Sequence, residues 1–299
     1  MMDSLRPLLT KTRSQKRMLY KDDATMSSSA KTWGHHSGHS SSRSLLSSSS
    51  ARSLMSSLSD LDEDVCLSKL NSFCSDENQV SSALIFRFAI FHNFDCEDAM
   101  EAIEKSADNK YLHLRMQGDL AEQFESRLLF PLSRRLKTKQ HNSRVIYVRP
   151  ARYQHSPENN EDLMVESLCY VLNDCSRTEA ACRDGVAVVI NMKGWSTENF
   201  SQDEWSRFMK TLQGELVPTK VKMVLIAEAP KDFVAIWNVL RKSLLTRFSK
   251  NVHMIKEKNL GGFFMEGYEE YMPSSLCGTW LDANEICEDY IDLREYRDK

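Results

Sequence analysis

The architecture is clearest at residues 221–255, VKMVLIAEAPKDFVAIWNVLRKSLLTRFSKNVHMI. Residues 221–229 are almost continuously apolar, the pattern of a strand buried on both faces. Pro230 ends that run and suits the first turn of a helix. Phe233, Ile236, Trp237, Leu240 and Leu244 then recur at steps of three and four, so they share one helical face. The closing KNVHMI (250–255) reads as a further short strand. An apolar strand, an amphipathic helix and another strand predict a parallel βαβ unit.

Upstream the same alternation repeats. GVAVVINM (185–192) predicts a strand buried on both sides. SRVIYVRPARY (143–153) predicts another, with Val145 and Tyr147 alternating against Ile146 and Val148 until Pro150 stops it. EDLMVESLCYVLNDC (161–175) supplies a helix through Leu163, Met164, Leu168, Val171 and Leu172. SQDEWSRFMKTLQGEL (201–216) supplies the next, with Ser201 as N-cap and Glu204 three residues on. The fold class is therefore α/β, a mainly parallel sheet covered by helices. Before it, SDENQVSSALIFRFAIFHNFDCEDAMEAIEKSADNK (75–110) reads as two short helices. Leu84, Phe86, Phe88 and Ile90 fit no single helical side, which implies either burial on several faces or a brief extended run. Asp95 is placed to cap the second helix, with Glu97 and Asp98 in its first turn and Ala99 and Ile103 on its stripe.

The 299 residues are 41% hydrophobic, enough for a sizeable core, and the net charge of −3 offers no attraction for nucleic acid. Charge is uneven. Residues 1–58 hold nine Lys/Arg against three acids, so a basic arm precedes an acidic body. From Ser27 to Ser59 the arm is mostly serine, a composition that cannot offset chain entropy by burial and is open to phosphorylation. Its start, Met1–Tyr20, mixes leucines with cations. That suits an anionic membrane surface or an organellar transit peptide. His35, His36 and His39 in this arm are a weak metal signal. We divide the chain into an arm (1–65), a helical lobe (66–135), an α/β lobe (136–285) and a tail (286–299).

No apolar run approaches the roughly 20 residues of a membrane span. The eight cysteines form no CxxC pair, and Cys169, Cys175 and Cys182 lack zinc spacing, so we expect reduced thiols in an intracellular protein. GxGxxG, GxxxxGK[ST], GxSxG and HExxH do not occur. His92, His113, His141, His155 and His253 form no metal pair. We therefore expect no catalysis, no cofactor and no metal.

Taken in order, RFAIFHNFDCEDAMEAIEK, VIYVRPARY, GVAVVINMKGW, VPTKVKMVLIAEAP, FVAIWNVLRKSL and YMPSSLCGTW resemble landmarks of the CRAL-TRIO lipid-binding family, of the retinaldehyde-binding, tocopherol transfer and phosphatidylinositol exchange type. The match runs over roughly residues 70–285. VIYVRPARY is similar to the family's first sheet strand. Asn191 stands where an Asp is usual, Gly194 matches a Gly, Glu228, Ala229 and Pro230 stand for Asn-Ala-Pro, and Cys277 replaces a Gly after Met272 and Pro273.

The resemblance implies a helical N-terminal lobe and a sheet that floors a hydrophobic cavity, with the 231–244 helix as its mobile lid. It places Tyr147, Tyr153, Val188, Ile190, Met192, Trp195, Val224, Ile226 and Glu228 on the cavity, closed by Phe233, Ile236, Trp237, Leu240 and Leu244. Lys231, Arg241, Lys242, Arg247 and Lys250 are cations beside that stripe and would face a membrane. Phosphatidylinositol exchangers carry a Glu where this chain has Thr219 and a Lys where it has Asn251, which argues against that lipid. The expected function is a non-enzymatic carrier, cytoplasmic and peripherally membrane-associated, that moves a phospholipid or isoprenoid-like ligand between membranes. The alternative is a lipid-sensing regulatory module whose arm recruits a protein partner or a membrane.

Overall fold

Five strands form one sheet in the order β1-β2-β3-β4-β5: β1 (Leu129–Pro131), β2 (Arg144–Val148), β3 (Val186–Asn191), β4 (Val221–Ala227) and β5 (Val252–Ile255). The computed structural model describes residues 62–74, 80–114, 128–153, 163–199 and 201–279. β2 to β5 run parallel, and β1 pairs antiparallel with β2. The strand read as first in the sheet is thus preceded by an edge strand. β1 is only three residues long and ends in a proline, so it carries almost no periodic signal.

The helices lie where the apolar spacing puts them: α1 (62–74), α2 (Ser82–Phe91), α3 (Cys96–Lys105), α4 (Leu163–Cys175), α5 (Glu179–Asp184), α6 (Gln202–Leu212), α7 (Lys231–Leu240) and α8 (Thr246–Ser249). α1 begins inside the acidic stretch Asp62, Glu63, Asp64, which the sequence reading assigned to the arm. Acids favour a helix N-terminus, so that stretch starts the body. α2 is helical throughout and buries Leu84, Ile85, Arg87, Phe88, Ala89 and Ile90 on several sides. Asp95 caps α3 by accepting the Asp98 N–H, and Ser201 caps α6 by accepting the Glu204 N–H. Pro230 sits at the N-cap of α7, one residue before its first turn.

β3 is fully buried along its length, and β4 is nearly so. The β2–β3, β3–β4 and β4–β5 connections each join neighbouring parallel strands, and right-handed crossovers set their helices on one face. α4 packs on α6 there. On the opposite face lies the irregular segment after β5, which buries Leu260, Phe264, Met272 and Leu276. His253 of β5 meets the Phe263 ring at 5.6 Å. Gly185 lets α5 turn directly into β3: its φ is 69°, and a Cβ there would lie 2.4 Å from the Lys220 carbonyl.

Candidate functional site: a helical lid and a cationic pocket

α7 leaves the carboxyl end of β4 and is seated by aromatic rings. Phe233 is fully buried, with ring centroids 5.4 Å from Trp195 and 5.5 Å from Trp205. Trp195 follows β3, and Trp205 opens α6 and touches Phe208 at 5.7 Å. Trp237 and Leu240 are buried beside them, and Ile236 and Leu244 are half-buried. The helical face read from the sequence is thus the inward face. The helix is shorter than the stripe suggested. It ends at Leu240, and Leu244 follows a 3-10 turn, Arg241–Ser243. The outward side exposes Val234, Val239 (57%) and, beyond the turn, Leu245 (53%). Lys231, Arg241, Lys242, Arg247 and Lys250 are all exposed around them.

The chain turns from β4 towards α7 through Glu228, which holds a left-handed φ of 56° without being glycine. Its carboxylate accepts the Glu257 N–H at 2.7 Å and pairs with Lys256 at 3.1 Å, while Lys193 pairs with Glu257. The Glu257 N–H, and then Lys256, hold the Glu228 carboxyl below the ordinary carboxylate range. Glu228 therefore clasps the ends of β4 and β5. Tyr153, after β2, donates its hydroxyl to the Glu204 carboxylate of α6. Met192 is buried just past β3.

The strand residues do not all line one wall. Val188 and Val224 are partners, as are Ile190 and Ile226, and side chains alternate along a strand, so these four share a face. Tyr147 is the partner of Val189, which sets it on the other face. There its hydroxyl accepts the Asn191 side-chain N–H at 2.7 Å, and the Ser275 hydroxyl lies 3.1 Å away. Asn191 also donates to Ser275 at 3.0 Å. This trio, buried at Tyr147 and Asn191 and half-buried at Ser275, pins the post-β5 segment to the sheet.

The amino end of β4 opens into a second feature that the sequence reading missed. A partly open pocket of about 260 Å3 lies between the end of α2, the end of α6 and α8. Its walls include Phe91 and Phe248, and Lys220, Lys222 and Arg247 line it with no Asp or Glu among the described residues. Burial, and then the charges of Lys222, Arg247 and Arg183, hold the Lys220 ammonium below the ordinary lysine range. Lys220 donates to the Asn93 side chain at 2.7 Å. Behind the pocket, Arg87 of α2 is 8% exposed, and its Nε has no partner. One guanidinium nitrogen reaches the Thr219 hydroxyl at 3.5 Å, and Thr219 lies 3.2 Å from the Ser176 hydroxyl. Burial lowers the Arg87 pKa to about 10. Such a cluster favours an anion on electrostatic grounds. Its only sequence signal is the Lys220–Val221–Lys222 alternation at the start of β4. The cluster is assembled by the fold from four separate segments.

The profile of the CRAL/TRIO domain family matches residues 135–278. The chain carries a CRAL/TRIO domain. Domains of this family generally bind hydrophobic lipids. The solved structure titled "Crystal structure of Sfh5" is similar at a TM-score of 0.48 and 11% sequence identity, covering 84% of this chain and 98% of that one. Within residues 135–278 lie β2 to β5, α7, the Glu228 turn before it and three of the pocket's cations. Arg87 and Phe91 come from the helical segment before that range. No described helix is long and apolar enough to cross a membrane, and no group of three metal-ligating side chains occurs among the described residues. The seven described cysteines are free. The histidine cluster of the arm and the tail from residue 280 lie outside the described residues.

Proposed function

We propose that this chain carries one hydrophobic lipid beneath α7 and exchanges it at an anionic membrane surface, without covalent chemistry. The observation that supports this most is the seat of the lid. Phe233 is held by ring contacts with Trp195 and Trp205, and Trp237 and Leu240 are buried in the same apolar core. Each aromatic pair is worth about 0.5–1.5 kcal/mol beyond burial. A lipid chain gains about 0.8 kcal/mol per buried CH2, on the order of 10 kcal/mol for a long chain. A lipid can therefore replace those contacts. The outer side of α7 suits the membrane step. Val234, Val239 and Leu245 are exposed among Lys231, Arg241, Lys242, Arg247 and Lys250, which matches an apolar contact flanked by anionic headgroups. The cationic pocket at the foot of the lid offers a place for an anionic group.

Mass spectrometry of organic extracts from natively purified full chain tests this reading. One lipid class at near one copy per chain is expected. Recovery of none, together with no uptake from vesicles, contradicts it. The second reading, a lipid sensor positioned by its arm, is supported by the Ser-rich basic segment that leads into α1. Deleting residues 1–61 distinguishes the two. A carrier keeps bulk transfer, whereas a sensor keeps lipid but loses its partner or its location.

A further inference from the structure

The cationic pocket lies close to the place where the serine-rich arm enters the body. Lys220, Lys222 and Arg247 line it, and the buried Arg87 behind it keeps an unpartnered Nε. Glu63, in the first turn of α1, accepts two bonds from Arg183 at 2.7 and 3.2 Å. The Arg183 guanidinium lies 5.5 Å from the centre of the Phe94 ring. Asn93, the preceding residue, accepts from Lys220 at 2.7 Å. Three residues beyond Arg183, the Val186 N–H donates to the Lys220 carbonyl at 2.9 Å. Glu63 is thus fixed to the same small group of residues that carries Lys220. The stretch that leads to it, SLMSSLSDLDED (53–64), has four acids and no Lys or Arg, unlike the basic arm before it. Ser57 and Ser59 each have an acid three residues on, Asp60 and Asp62, the pattern that acid-directed serine kinases select. Ser57 stands six positions before Glu63. Six extended residues reach about 20 Å.

We propose that Ser57 and Ser59 are phosphorylated, and that the phosphorylated segment docks in the Lys220–Lys222–Arg247 pocket of its own chain and closes it to other anions. A serine kinase moves the terminal phosphoryl group of a nucleoside triphosphate onto the serine Oγ. The nucleoside diphosphate leaves, and the hydroxyl proton is released. Each phosphate brings about −1.5 to −2 of charge and three acceptor oxygens. Docked, it meets three cations that no pocket carboxylate offsets, and charge-assisted bonds of this kind are the strong ones. The Glu63–Arg183 contact tethers the segment, so the phosphates act at an effective concentration on the order of millimolar. Removing the phosphates takes away the main attraction and frees the pocket. The docking stands on the pocket and the tether. Its consequence rests on the proposed function: an occupied pocket cannot take an anionic headgroup, so phosphorylation releases the chain from the membrane.

The test uses the full chain with phosphoserine placed genetically at positions 57 and 59, titrated by phosphorus NMR. A free phosphoserine loses its second proton near about pH 6. Asp60 and Asp62 push that value up, whereas pocket cations favour the dianion and pull it down. At least one phosphate should therefore titrate about one pH unit below the ordinary value. The shift should not depend on protein concentration. Lys220→Ala, Lys222→Ala and Arg247→Ala together should return it to the ordinary value. Should that variant not fold, Arg247→Gln, at an exposed position, supplies the same comparison with a smaller return. Ordinary values for both phosphates in the unaltered chain overturn the proposal. So does a lowered value that survives the triple change, or one that appears only as the protein is concentrated and so reports docking between copies. Co-sedimentation with vesicles of phosphatidylcholine and phosphatidylserine in equal parts reads the consequence, and phosphorylation should weaken it about tenfold. A lowered phosphate value with unchanged sedimentation upholds the docking and contradicts the membrane role of the pocket instead.

Discussion

The two ends of β4 are built on opposite principles. At its carboxyl end the chain turns through Glu228 and Pro230 into α7, whose inward side is seated on Trp195 and Trp205. At its amino end Lys220 and Lys222 face a pocket with Arg247, backed by a buried Arg87. The first end is apolar, non-directional and reversible, since ring contacts can be traded for a lipid chain without stranding a hydrogen bond. The second concentrates like charges at a cost that an anion relieves. One strand, seven residues long, therefore joins a surface suited to fatty chains with a surface suited to their anionic heads or to the membrane that bears them.

Breaking the apolar end should have the largest effect. Phe233→Ala empties the space between two tryptophans and should weaken the closed lid by about 3–5 kcal/mol. Hydrogen exchange of the α7 amides, faster there than in β3, checks it. At the other end, the triple change Lys220→Ala, Lys222→Ala and Arg247→Ala removes about 1 kcal/mol of anionic-surface attraction per cation. Binding to vesicles rich in anionic lipid should fall on the order of 100-fold in co-sedimentation, with no loss of Tm, because a repulsive cluster has been relieved.

Gly214→Ala probes the Phe91 wall of the cationic pocket. Its φ is 93°, and an added Cβ would lie 2.1 Å from the Phe91 ring. Thermal unfolding should show a loss of about 1–3 kcal/mol. The smallest effect belongs to the Glu228 turn. The Glu228 carboxyl has a depressed pKa in the folded chain, so its stabilising share is present above the unfolded carboxylate value and is lost as pH falls through the folded one. Below about pH 4.5 the Tm of the unaltered chain should therefore fall more steeply than that of Glu228→Gln. Equal slopes would remove the Glu228 carboxylate from the account of that turn.

The difference between the ends also explains what could be read in advance. β2, β3 and β4 are continuous apolar runs, and α4, α6 and α7 repeat at helical spacing, so the parallel sheet and the lid's inward face were legible. The edge strand β1 was not, because three residues ending in proline have no period. Tyr147 was placed on the same cavity as Val188, Ile190, Val224 and Ile226, as a polar group beside it. Only the register, Tyr147 opposite Val189, shows that it faces the other side. The cationic pocket needed tertiary structure, since Arg87 and Arg247 lie 160 positions apart and meet the Lys220–Lys222 segment only once the sheet is assembled. Glu204 carried a capping signal, but not its bond to Tyr153, which comes from the loop after β2.

The claim that matters most is that α7 opens to admit a lipid. Transfer of a labelled lipid between vesicles by the unaltered chain and by Trp237→Asp, with the fold of each verified by circular dichroism, tests it directly. We predict transfer by the first and none by the folded second, because a carboxylate at that position cannot be buried beneath the lid or against a lipid chain. Equal transfer by both, or none by either, would contradict a lid that works by apolar exchange.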